Sequence, residues 1–210
     1  ICAVHCFLPT QYLILPKKKG YEYFFIFCDD YKDFSFKFNE KFIYKQRVVR
    51  NLDKVFNILL KYYKKTNIKS IAFAQGGDFI GGNDAQIIKD GIKMKRKAMN
   101  TFLCSTKRPF KFIGRLNEDV TTYVNLGGKG DLFFTIPNVS VSQMPTLTTK
   151  GGLSDVYMEY GTYVKSFFSV MYNPSCVVIR ILGKKNKRIH HKVLWNNAVP
   201  KILNPKYKKT

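Results

Sequence analysis

Apolar positions along this chain fall into short, nearly continuous runs and one longer stretch with helical spacing. Tyr21 to Cys28 reads Tyr-Glu-Tyr-Phe-Phe-Ile-Phe-Cys and predicts a buried strand ending at Asp29-Asp30. From Val48 to Lys65, Val48, Leu52, Val55, Phe56, Leu59 and Leu60 recur at helical spacing with lysines opposite, which predicts an amphipathic helix. Ile68 to Ala74 is a second buried strand, and it runs into Gln75-Gly76-Gly77-Asp78-Phe79-Ile80-Gly81-Gly82. Strand, helix, strand and glycine loop together form a βαβ unit, whose ligands sit at the carboxyl ends of the strands. Further along, the pattern predicts a helix over Ala85 to Met99, a strand over Lys111 to Gly114, a strand over Leu132 to Val141 interrupted by Pro137, a helix over Val156 to Met171 and a strand over Cys176 to Leu182. These elements predict one α/β domain over 1–200, followed by a basic tail over 201–210.

Charge changes the picture. The 210 residues carry 36 Lys+Arg against 14 Asp+Glu, a formal net charge of +22, and no Asp or Glu follows Glu159. Such an excess points to a polyanionic partner, with nucleic acid ahead of an anionic membrane surface, and to salt-sensitive binding. The alternative for the last third is a solvated basic tail. Five scattered cysteines without a Cys-x-x-Cys pair suit a reducing, cytoplasmic setting. No apolar run approaches the roughly 20 residues of a membrane span. The chain starts at Ile1 rather than Met, which reads as a trimmed or partial chain.

Where carboxylates are scarce, adjacent ones stand out. Gly114-Arg115-Leu116-Asn117-Glu118-Asp119-Val120 places two of them between apolar stretches. Read as a strand, the motif would turn Glu118 and Asp119 to opposite sides, one of them a general base toward a hydroxyl. A salt bridge to Arg115 is the plainer alternative. Asp78 is the single carboxylate of the Gln75 to Gly77 loop, where small residues let a diphosphate approach and one Asp can help hold Mg or Mn. A capped glycine turn would explain it equally. His190-His191 lie in a basic run and read either as metal ligands or as surface residues. Gly151-Gly152 reads as a mobile loop, and Lys165 beyond it as a phosphate contact or an ordinary surface lysine.

The order of these motifs resembles a GT-A glycosyltransferase: Arg50-Asn51 opening a helix, a strand into Gln75 to Asp78, Asn117-Glu118-Asp119, then a late His. Arg115-Leu-Asn-Glu-Asp-Val-Thr-Thr-Tyr123, Gly151-Gly-Leu, Gly161-Thr-Tyr-Val-Lys-Ser-Phe-Phe-Ser-Val-Met171 and Pro174-Ser175 are similar, more narrowly, to the TET-associated glycosyltransferases, relatives of the base J glucosyltransferase. The resemblance spans roughly Arg50 to Pro200. It implies a GT-A-like single domain with a central mixed, mainly parallel sheet flanked by helices. It further implies transfer of a sugar from a nucleotide-sugar, a UDP-sugar by preference, to the hydroxyl of 5-hydroxymethylcytosine or 5-hydroxymethyluracil in DNA, by a phage-type enzyme working in the host cytoplasm. On that reading Asp119 is the base and Glu118 supports it. Arg50, Asn51, Gln75, Gly76, Gly77 and Asp78 bind the donor, and Asp78 with His191 holds a divalent cation, Mn or Mg. Arg115, Gly151, Gly152 and Lys165 face the DNA. The family's run of acidic residues is replaced here by Gln75-Gly76-Gly77-Asp78, which leaves Asp84 or His191 to complete any metal site. Two other classes fit parts of the sequence: a non-enzymatic nucleic-acid-binding protein, which leaves the acidic motif unexplained, and a metal-dependent nuclease, which needs converging carboxylates.

Overall fold

The computed structural model describes residues 2–5, 12–28, 31–79, 82–84, 97–99, 101–144, 154–183, 187–199 and 205. Their elements run β1 (Cys2–His5), α1 (Ile14–Lys18), β2 (Tyr23–Phe27), β3 (Tyr31–Phe38), β4 (Tyr44–Val48), α2 (Leu52–Lys64), β5 (Ser70–Gln75), β6 (Phe102–Ser105), α3 (Glu118–Gly128), β7 (Phe133–Gln143), α4 (Ser154–Tyr160), α5 (Val164–Tyr172), β8 (Val177–Leu182), β9 (Arg188–Val193) and α6 (Trp195–Ala198). Seven strands form one sheet in the order β1-β2-β6-β5-β7-β3-β4, and β8 and β9 form a separate ribbon. No helix among the described residues is long and apolar enough to cross a membrane.

The α/β architecture is as expected, with one correction to the sheet. Five strands run in one direction, but β6 and β3 are reversed, so only β1–β2 and β5–β7 pair in parallel and the other four neighbouring pairs are antiparallel. A short connection imposes one of the reversals. Asn39 Oδ1 accepts the N–H groups of Lys41 and Ile43 at 3.0 and 2.9 Å, a local turn that leaves β3 and β4 no course but a hairpin. The predicted βαβ unit survives with this hairpin inserted: β2, β4 and β5 all point the same way, and α2 connects β4 to β5.

Helix α2 starts later than the apolar spacing suggests. Asn51 Oδ1 accepts the Lys54 N–H at 2.9 Å and caps the helix, so Val48 remains the last residue of β4 and is exposed. Leu59 and Tyr63 face the sheet, where Phe25, Phe34, Phe56 and Phe73 form a tilted and edge-on aromatic cluster. Arg108 closes the other end. Its guanidinium stacks 3.7 Å over the Tyr63 ring and donates to the carbonyls of Thr66 and Ile68 at 2.7 and 2.8 Å. The opposite face of the sheet carries a second core, in which Val120, Tyr123 and Val124 of α3 meet Phe24, Ala72, Phe102 and Phe133.

Three further expectations change. Phe110 to Ile113 forms no strand: Phe110 N–H donates to the Tyr12 hydroxyl and Ile113 N–H to Thr122 Oγ1, so side chains satisfy a backbone that would otherwise seek a ladder. Pro137 does not interrupt β7, because the register against β5 steps from Phe73↔Ile136 to Ala74↔Ser140 and the bulge absorbs the missing donor. The single helix over Val156 to Met171 is two helices, broken at Gly161, whose φ of +79° glycine alone adopts without strain. Residues 85–96 of the helix predicted over Ala85 to Met99 lie outside the described residues, and Lys97 to Met99 are not helical.

Helix α6 packs on α3 at backbone distance. A Cβ on Gly127 would lie 2.7 Å from the Ala198 carbonyl oxygen, whereas one on Gly128 would meet nothing closer than 3.9 Å. Gly127→Ala is therefore expected to lower stability by about 1–3 kcal/mol in denaturant titration, and Gly128→Ala to leave it equal or higher. Equal losses at both positions would refute the close approach.

Candidate active site

The acidic motif forms a bend and then a helix, not a strand. Gly114 turns the chain with φ +85°, and a Cβ there would press to 3.1 Å against the Tyr172 ring. Asn117 then adopts the left-handed conformation, φ 55° and ψ 36°, and its carbonyl receives the Thr121 N–H at 3.0 Å as α3 begins. Glu118 and Asp119 occupy adjacent positions in the first turn of α3, about 100° apart around the helix rather than on opposite sides of a strand, and close enough for the charge of Asp119 to raise Glu118. Asp119 is 9% exposed and its Oδ1 accepts the Val120 N–H at 2.7 Å, while Glu118 is half-buried. Arg115 is exposed and forms no ion pair with either carboxylate, so the salt-bridge alternative fails.

Burial pushes both carboxyl groups above the usual carboxylate range. Glu118 rises to about 7, through burial first and the charge of Asp119 second. Asp119 is raised by burial against the opposing pull of the Val120 N–H, Lys97 and Lys165. Lys165, half-buried, is lowered by burial and held up by Asp119, and its Nζ lies 5.4 Å over the Tyr157 ring. Tyr157 is raised to about 12 by burial and then by Glu118 and Asp119. The buried Tyr123 feels the charges of both Asp119 and Asp78, which brings the glycine loop into the electrostatic neighbourhood of the acid pair. A pair of interacting carboxyls flanked by two ammonium groups can take up one proton near neutral pH without becoming doubly charged in a dry site.

The histidines are not surface residues. His191 is 5% exposed, and its Nδ1 lies 3.4 Å from Asn117 Nδ2, which itself donates to Ser169 Oγ at 2.6 Å. Burial lowers His191 to about 3, helped by His190, Lys97 and Lys165. Burial likewise lowers His190 to about 4, helped by Lys97 and Arg188. Both rings are neutral at physiological pH. His191 is thereby tied to the acid-pair helix through Asn117, and among the described residues no three His, Cys, Asp or Glu side chains gather where a metal could sit.

The glycine loop leaves β5 as two short turns over Gly76–Phe79 and Gly82–Asp84. Asp78 Oδ2 accepts the Gln75 N–H at 3.0 Å, and Gln75 Nε2 donates to Gln143 Oε1 at 3.4 Å. Gly76 and Gly77 have no positive φ, and none of the described residues comes within 4 Å of a would-be Cβ at either position. Open space alongside two glycines and a carboxylate fits a diphosphate with a cation shared between it and Asp78. Asp84 is exposed on the second turn.

Arg50 and Asn51 lie on the other face of the sheet from the acid pair. They line a cleft of about 1080 Å³, together with Arg47, Lys54, Val55 and Tyr62, at the carboxyl end of β4. The structure therefore gathers Glu118, Asp119, Lys165 and His191, sets Asp78 near them, and leaves Arg50 and Asn51 across the carboxyl edge. Gly151 and Gly152 lie outside the described residues. Lys97 is absent from the sequence reading because nothing distinguishes it within Lys93-Met-Lys-Arg-Lys97. Its backbone carbonyl, accepting from Thr135 Oγ1 at 2.6 Å, is what fixes it beside β7.

Glu118 makes the site's pH dependence testable. Its carboxyl binds a proton more tightly folded than unfolded, so its contribution to stability is full below about pH 4.5 and is lost as pH rises to about 7. His190 and His191 act with opposite sign, losing stability as pH falls below their unfolded value near 6.5. The difference between wild type and Glu118→Gln isolates the carboxyl: the variant is expected to gain about 2–3 kcal/mol relative to wild type between pH 4.5 and 7.5 in urea titrations. A difference independent of pH would show that Glu118 titrates normally.

The family model for TET-associated glycosyltransferases matches residues 5–152. The match starts well before Arg50, where the resemblance begins, and ends short of Lys165 and of the β8–β9 ribbon. It includes the cleft, the glycine loop and the acid pair. No curated protein and no solved structure matches the chain. By a match over more than half its length, the chain belongs to the TET-associated glycosyltransferase family.

Proposed function

We propose that this glycosyltransferase moves a sugar from a nucleotide-sugar, a UDP-sugar by preference, to the hydroxyl of 5-hydroxymethylcytosine or 5-hydroxymethyluracil in DNA. The observation that carries the reading is the buried acid pair at the start of α3, flanked by Lys97 and Lys165, in a chain of this family. Asp119 is the base. Lys97, Lys165 and the Val120 N–H favour its ionised form, and Glu118, raised to about 7, holds the pair's proton at neutral pH. The acceptor hydroxyl gives its proton to Asp119 as its oxygen bonds to the anomeric carbon, and the nucleoside diphosphate leaves with the electrons of the broken C–O bond.

The donor's course across the carboxyl edge accounts for the separated residues. Its nucleoside occupies the cleft with Arg50 and Asn51, its diphosphate lies along Gly76 and Gly77, and its sugar reaches the acid pair. A divalent cation held by Asp78 and the diphosphate would neutralise the leaving group. Lys165 stands on the acceptor side, where a phosphate of the DNA backbone would meet its charge. A non-enzymatic binder would have no use for two buried carboxyls, and a two-metal nuclease would need donors that the described residues do not bring together.

Mass spectrometry of nucleosides from hydroxymethylated DNA incubated with UDP-sugars is expected to show a sugar-sized gain. Asp119→Asn should lower its rate by about 100-fold or more while leaving DNA affinity intact. A variant as active as wild type would remove Asp119 from the chemistry. Asp78→Asn should raise the Mg or Mn concentration for half-maximal rate by about tenfold, and a wild-type rate indifferent to chelator would overturn the cation assignment.

A further inference from the structure

The β8–β9 ribbon lies beyond the family match and leaves isoleucines in water. The register Val177↔Val193, Ile179↔His191 and Ile181↔Ile189 puts these six side chains on one face. At the base of the ribbon Val177, His191 and Val193 are buried against the α3 side of the protein, but Ile179 and Ile189 are exposed and Ile181 is 63% exposed. The opposite face carries Arg180, Arg188 and Lys192 beside His190, interspersed with Val178 and Leu182. A ribbon with an apolar strip on one face and cations on the other, in a part of the chain without a carboxylate, matches the chemistry of duplex DNA. Arginine and lysine meet phosphates, and a branched aliphatic side chain can stand between base steps.

The ribbon is also tied to the site of chemistry. His191 lies against Asn117, the residue that opens α3 immediately before Glu118 and Asp119. A hydroxymethyl group within a stacked duplex is out of reach of a buried carboxyl, so the target base has to leave the stack, at a cost of a few kcal/mol.

We propose that the β8–β9 ribbon inserts Ile181, flanked by Ile179 and Ile189, into the DNA duplex beside the target, holding open the stack from which the base is extruded toward the acid pair. The inference rests on the DNA reading above, but its test does not need sugar transfer. A duplex carrying 2-aminopurine at the target position should brighten several-fold on binding wild type. Ile181→Ser should bind the same duplex within about twofold by anisotropy, because the cations remain, yet leave the fluorescence low. In transfer assays Ile181→Ser should lose about tenfold or more on duplex and stay near wild type on single-stranded hydroxymethylated DNA, with Ile181→Leu restoring duplex activity. An unbrightened wild-type complex, or an Ile181→Ser protein that brightens the probe as wild type does, would overturn the wedge. A brightened wild-type complex without transfer from any donor would instead overturn the glycosylation reading while keeping the wedge.

Discussion

The left-handed turn at Asn117 is the constraint on which the site depends. Among the described residues only Phe42 shares a positive φ without being glycine, and such a backbone costs about 1–2 kcal/mol for an ordinary residue. Asparagine tolerates it, and the side-chain amide offsets the cost by donating to Ser169 on α5 while lying against His191 on β9. One residue thus fixes the start of α3, the approach of α5 and the seat of the ribbon. Asn173 repeats the tie one layer away: its Nδ2 donates to the Thr121 carbonyl, and its Oδ1 accepts from Asn125. The acid pair is rigid because the helix carrying it is pinned from two sides by amides rather than by apolar contact alone.

This pinning explains why a strongly cationic chain keeps two carboxyls dry. Two adjacent anions in a low-dielectric pocket are costly, and the helix terminus, the Val120 N–H and the two lysines each remove part of the cost. They do not remove all of it, which is why the pair retains a proton to higher pH than free carboxylates would. Nearby imidazoles bear the opposite effect. Packed among lysines and arginines, His190 and His191 stay neutral and offer lone pairs or N–H groups rather than charge.

Much of the framework was legible in the sequence because its signals are redundant. The helical spacing of Leu52, Val55, Phe56 and Leu59, and the apolar runs of β2 and β5, each satisfy both local propensity and burial. The acid pair was legible through scarcity, since 14 Asp+Glu in this chain make an adjacent pair conspicuous. Its helical setting was not, because Val120, Thr121, Thr122 and Tyr123 favour strands, and only burial of Val120 and Val124 against the sheet decides otherwise. Strand β3 did carry a readable sign in the alternation Phe34, Phe36, Phe38. Lys97 carried none, for a lysine among 36 basic residues gains meaning only from the fold that surrounds it.

The bulge at Pro137 has a consequence for how this sheet can change. Below it, Phe133 to Ile136 pair with Ser70 to Phe73 and are held by both cores; above it, Ser140 and Val141 pair with the last residues of β5, where the glycine loop departs. Slack in one strand separates the two halves mechanically. Drift in the packing of the lower core can be taken up at Pro137 and the exposed Asn138, before Val139 rejoins the core and pairs with Phe36, so the interior has room to be remodelled while the reactive edge keeps its geometry.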